Sequence, residues 1–71
     1  MTQLEKEGLV FQFLYQSSKI PSLEKRLPVE PDRLIRWIRG QEKIDDFQLN
    51  RCLRLFKSNR NTFDYLCSVV E

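Results

Sequence analysis

The nucleophiles of this chain are two cysteines, Cys52 and Cys67, and a few serines, and its carboxylates include one adjacent pair, Asp45 and Asp46. There is no histidine, so the commonest general base and the commonest metal ligand are both missing. A serine or cysteine without an activating base is a weak nucleophile. The cysteines are fifteen residues apart and the only glycines, Gly8 and Gly40, are thirty-two apart, so neither a metal-ligand spacing nor a phosphate-cradling loop is present. Asp45-Asp46 reads better as a helix start than as an acid–base pair. We expect no enzyme: no catalytic residue, metal, cofactor or small-molecule substrate.

What remains is cationic. Twelve basic residues against ten acidic ones give a net charge of only +2. Between Lys19 and Arg60, however, eleven basic residues face six acids, while the two ends together hold one lysine and four acids. The chain therefore has a middle of about +5 between acidic ends, which reads either as ordinary solvated helix faces or as the footprint of an anionic partner.

The elements that must position these charges are all helical, with no competing strand pattern. Thr2-x-x-Glu5 has the form of a capping box, and Leu4, Val10, Phe11, Phe13, Leu14 and Tyr15 give a broad apolar face up to Ser17-Ser18. Gly8 within it lowers helix propensity by about 1 kcal/mol relative to alanine, so the first turns are expected to fray. Pro21 suits the first position of a short second helix carrying Leu23 and Leu27, and Pro28 must end that helix. Pro31 opens a third helix with Glu30 and Asp32 at its positive end; Leu34, Trp37 and Ile38 form its buried stripe and Gly40 its stop. Asp45-x-x-Gln48 starts a fourth helix through Leu49, Cys52, Leu53 and Phe56, and a fifth follows over 61–71. The expected architecture is all-α, one domain over 1–71, a compact bundle of about five short helices.

Both cysteines sit at helix-spaced apolar positions, as expected of buried reduced thiols rather than a disulfide. No stretch has the length of a signal core or of the roughly 20 apolar residues needed to span a bilayer, so we expect a cytoplasmic protein without a membrane partner. At 71 residues the chain buries only roughly 60% of its unfolded surface, so self-association is expected.

The stretch from Leu23 to Gly40 holds two short amphipathic helices joined by three or four residues, which is helix-turn-helix spacing within residues 20–40. Through Leu23, Leu27, Val29, Pro31, Leu34, Trp37 and Gly40 it resembles the helix-turn-helix regulators of the Cro/phage-repressor type, small proteins of phages and mobile elements. The chain departs from that pattern at Glu24, where the family usually has alanine, and at Pro28, where the turn usually has glycine. This leaves the close helix contact and the turn geometry open.

The resemblance implies a homodimer that binds a double-stranded DNA operator and regulates transcription, with the helix Pro31–Arg39 in the major groove. Arg36 is then the first candidate base reader, through a bidentate contact with guanine. Arg33, Arg39, Gln41 and Lys43 are expected at base edges or backbone, and Lys19, Lys25 and Arg26 at phosphates. Glu30 and Asp32 oppose this, since they place two carboxylates where phosphates should approach. The alternative they raise is a helix-turn-helix-derived antagonist, an antirepressor or antiactivator, that binds a transcription regulator instead of DNA. Ile35 and Ile38 cannot both join Leu34 and Trp37 on one narrow face, so one of them is expected to meet a thymine methyl or a partner. Phe63, Tyr65, Leu66, Val69 and Val70 exceed one buried face and are expected to help form a symmetric dimer.

Overall fold

The structure, a computed structural model, describes residues 1–70 as five helices: α1 (Gln3–Ser17), α2 (Leu23–Arg26), α3 (Pro31–Ile38), α4 (Asp46–Leu55) and α5 (Arg60–Val69). Glu71, the end of the segment expected over 61–71, lies outside the described residues. The described residues contain no strand. The Cα radius of gyration, 11.1 Å, is that of a compact chain of this length, about 11 Å.

Local chemistry explains most helix ends. The Thr2 hydroxyl accepts from the Glu5 amide at 3.1 Å, and the Thr2 amide donates to the Glu5 carboxylate at 2.9 Å. That is a complete capping box, and it holds the Glu5 carboxyl below its ordinary pKa through the hydrogen bonds from Thr2. α3 ends in a Schellman motif: Gly40 takes φ +72°, its amide donates to the Trp37 carbonyl, and the Gln41 amide donates to that of Arg36. α4 ends in the same way with Lys57 at φ +58° in the glycine position, the Ser58 amide reaching the Leu53 carbonyl.

The second helix differs from expectation. Pro21 does not open it; Ser22, at φ 55°, stands before its first residue, and the helix is a single turn. Leu27 is already extended at ψ 135°, as a residue before proline must be, so Pro28 cuts the helix from one side while Ser22 limits it from the other. Leu27 to Glu30 then form a four-residue connection to α3.

The core is built on α1. It packs against α3 and α5, and α5 packs in turn on α4. Phe11 lies 4.6 Å from Trp37 and 5.4 Å from Phe56 between ring centroids, with Phe63 6.3 Å from Trp37 on the other side. Phe11, Trp37 and Phe63 are fully buried. Two expectations change here. Phe63 belongs to this aromatic centre and not to the terminal contact surface, because α5 turns it inward against Trp37. Gly8 is not a weak point of α1: a Cβ built there would lie 2.5 Å from the Trp37 carbonyl oxygen and 2.6 Å from that of Ile38. Its bare backbone is what lets α1 close on the end of α3. Ile44, between α3 and α4, is buried as well and pins that connection to the core.

Cys52 and Cys67 are buried free thiols, in agreement with the sequence. Burial pushes the Cys52 thiol up to about 11. The Cys67 thiol is raised too, first by burial and then by the negative charge of Glu7. Among the described residues, no helix is long and apolar enough to cross a membrane.

Candidate nucleic-acid interface

Trp37 fixes the rotation of α3. With its indole in the core, positions 32, 35, 36 and 39 turn outward, so Asp32, Ile35, Arg36 and Arg39 form the exposed stripe of the helix. Leu34 and Ile38 are half-buried against the core. Of the two isoleucines, Ile35 is the exposed one, at 46%. Gln41 and Lys43 are exposed in the connection that follows, and Lys25 and Arg26 are exposed on α2. The structure therefore exposes most of the expected contacts, on α2, on α3 and in the α3–α4 connection.

Arg33 and Arg36 are not free, however. The Arg33 Nε donates to Glu42 Oε2 at 2.8 Å and the Arg36 Nε to Glu42 Oε1 at 3.1 Å. One carboxylate thus clamps two guanidinium groups a turn apart, and the hydrogen bonds from Arg33 and then Arg36 hold Glu42 below its ordinary pKa. Arg33 also donates through Nη1 to the Gln48 Oε1 at 3.3 Å, and the Gln48 Nε2 reaches the Pro28 carbonyl at 3.5 Å. The network joins the turn, α3, the α3–α4 connection and α4. It also alters the expected start of α4: Asp45 caps the Gln48 amide at 2.8 Å, but the Gln48 side chain turns away toward Arg33 and does not complete a capping box. Arg33 is thereby engaged in positioning α3. Arg36, with a 45% exposed side chain, holds its pair at the surface, where such a bond exchanges readily for an external partner. Glu30 and Asp32 are exposed and form no ion pair among the described residues.

No family model, curated protein or solved structure matches the chain.

The contact residues expected at the C-terminal end divide. Tyr65 and Val69 are 66% and 56% exposed, whereas Leu66 and Val70 are half-buried. Leu66, Val69 and Val70 line a groove of about 280 Å³ whose other wall is Leu9, Val10 and Phe13 of α1. Leu9 and Phe13 are exposed. Helical spacing assigns Phe13 only to the general apolar face of α1 and gives Leu9 no role; their surplus over the buried pair, Val10 and Phe11, is the signal that marks them. Two further features involve α4, whose face opposite the Leu49, Cys52, Leu53 stripe carries Arg51 and Arg54. Phe47 is 72% exposed, with the Arg51 guanidinium 5.7 Å from its ring centroid. Arg51 and Arg54 also join Arg26 around an open concavity beside Pro28.

Proposed function

We propose that this chain is a small sequence-specific DNA-binding transcriptional regulator of the Cro/repressor type that acts as a homodimer. The observation that carries the reading is α3 itself: a short helix anchored through fully buried Trp37, beside a short connection, that turns Ile35, Arg36 and Arg39 outward. A reading helix must be anchored and must present cationic and methyl-seeking side chains to a groove, and the buried Trp37 with the exposed Ile35, Arg36 and Arg39 supports that reading. Arg36 leaves Glu42 to pair with a guanine edge, Arg39 and Ile35 lie on the same stripe, and Gln41, Lys43, Lys25 and Arg26 flank it toward phosphates. The groove between α1 and α5 meets its counterpart on a second copy, bringing two α3 helices to successive major-groove faces about one DNA turn apart.

Binding to duplex fragments from the home locus, followed by fluorescence anisotropy at about 50 mM salt, tests the reading. Arg36→Ala is expected to weaken the preferred fragment roughly 5- to 150-fold, the equivalent of about 1–3 kcal/mol for one guanine contact, and random sequence much less. No binding to any home fragment would end the proposal.

Glu30 and Asp32, exposed and without an ion pair among the described residues, favour a second reading on the same fold, an antagonist that binds a transcription regulator. Capture of one stoichiometric regulator in the presence of nuclease, abolished by Ile35→Asp in a still-folded protein, together with no DNA binding, would establish it.

A further inference from the structure

Seven arginines are present, and the ion pairs among the described residues use three of them, Arg33, Arg36 and Arg60. Three of the remaining four converge. Arg26 from the end of α2 and Arg51 and Arg54 from successive turns of α4 surround an open concavity of about 220 Å³, whose other walls are Pro28 and Leu55. Like charges gathered in one hollow, without an ion-pair partner among the described residues, raise the local potential, and apolar walls focus it further. Guanidinium is weakly hydrated, and its planar fork matches phosphate oxygens. The Arg51 guanidinium lies 5.7 Å from the Phe47 ring centroid, within cation–π range. The hollow also borders the turn ahead of α3, because the carbonyl of its wall residue Pro28 accepts from Gln48, within the network that holds Arg33 and Arg36.

We propose that the concavity of Arg26, Arg51 and Arg54 seats a phosphate group which, on the DNA-binding reading above, is a backbone phosphate of the bound duplex. α4 then grips the backbone while α3 reads the groove. The bonds from Arg33 to Glu42 and Gln48, which remain when Arg36 turns to a base, link the two helices and set the distance from phosphate to base edge. The seat also relieves the conflict posed by Glu30 and Asp32, because the main backbone contact is made by α2 and α4 and not by the start of α3.

The test is the affinity for a short random-sequence duplex across a salt series. It compares the full chain with Arg51→Gln/Arg54→Gln, Arg26→Gln, and Lys6→Gln on α1 as a single-charge control, after circular dichroism and melting have shown each to be folded. The double variant is expected to bind at least about tenfold more weakly, and the slope of log affinity against log salt should shrink by about 0.9 for each phosphate that the variant no longer neutralises. Lys6→Gln should keep the full slope. Arg51→Lys/Arg54→Lys, which keeps the charge and removes the fork, should bind more weakly than the unsubstituted chain with a nearly unchanged slope. A double Gln variant with undiminished affinity and slope overturns the seat while leaving DNA binding intact. If the unsubstituted chain binds no duplex, inorganic pyrophosphate is titrated while the arginine Nε–H resonances are followed. Saturable shifts at Arg26, Arg51 and Arg54, and none at Arg39, support the seat and refute the duplex as its source. The absence of such shifts, or their appearance only with a poly-aspartate peptide, overturns it.

Discussion

Single residues decide more here than their types announce. Gly8 in mid-helix reads as a defect, since alanine is ordinarily better there by about 1 kcal/mol. In the fold, two backbone carbonyls occupy the space a methyl would need, and backbone cannot yield as a flexible side chain can. Gly8→Ala is therefore expected to destabilise the protein by about 1–3 kcal/mol, reversing the sign that helix propensity alone predicts. Urea unfolding followed by circular dichroism reads this directly; a stabilised variant would show that α1 does not need its close approach to α3. Trp37 carries a related cost. Its indole Nε1 is buried with no hydrogen-bond partner among the described residues. A buried unpaired donor costs about 1–3 kcal/mol, which the fold tolerates because the ring fills the space between Phe11 and Phe63.

Between elements, the polar network through Glu42 ties α3 to the α3–α4 connection and to α4. Arg33 and Arg36 depress the Glu42 pKa in the folded state. The stability this contributes is thus present above the carboxyl's unfolded pKa and is lost as the pH falls through the lower folded value. Glu42→Gln should remove that part of the acid sensitivity and slightly lower stability at neutral pH, both visible in melting temperatures over an acid pH series. The same change removes a negative charge and releases two guanidinium groups, so on the proposed function non-specific duplex binding should tighten. Weaker binding would mean that the clamp's positioning of Arg36 outweighs the charge it neutralises. Helix spacing predicts the elements well because their caps are local: Thr2, Asp45 and Gly40 act within a turn of their own positions. It fails at α2, where a nonlocal demand competes with local backbone chemistry. Leu23 and Leu27 must both reach the core, while Ser22 in a left-handed conformation and Pro28 leave only one turn between them.

For the whole molecule, small size and apolar surface point the same way. Leu9, Phe13 and Val69, each 42% to 60% exposed, border a groove whose walls among the described residues are all apolar, and a chain this short gains much from covering it. Phe13→Asp/Val69→Asp is expected to convert a dimer into a monomer in sedimentation, and to abolish the concentration dependence of the melting temperature that dimers show. Since neither side chain belongs to the core, the monomer should keep its helical circular dichroism. A protein that is monomeric before substitution would remove the dimer from the proposal. By itself the sequence determined what depends on neighbours along the chain: the all-α class, the helix positions apart from α2, the inward stripes of α3 and α4, and the placing of both cysteines on buried faces. Only the tertiary structure decided what depends on approach between distant segments. It turned Phe63 into the core, made Gly8 a contact, exposed Ile35 and not Ile38, tied Arg33 and Arg36 to Glu42, and gathered Arg26 with Arg51 and Arg54. The physical reason is range: capping and amphipathic spacing act within one or two turns, whereas a salt bridge, a close backbone crossing or a shared hollow exists only once helices far apart in sequence have packed.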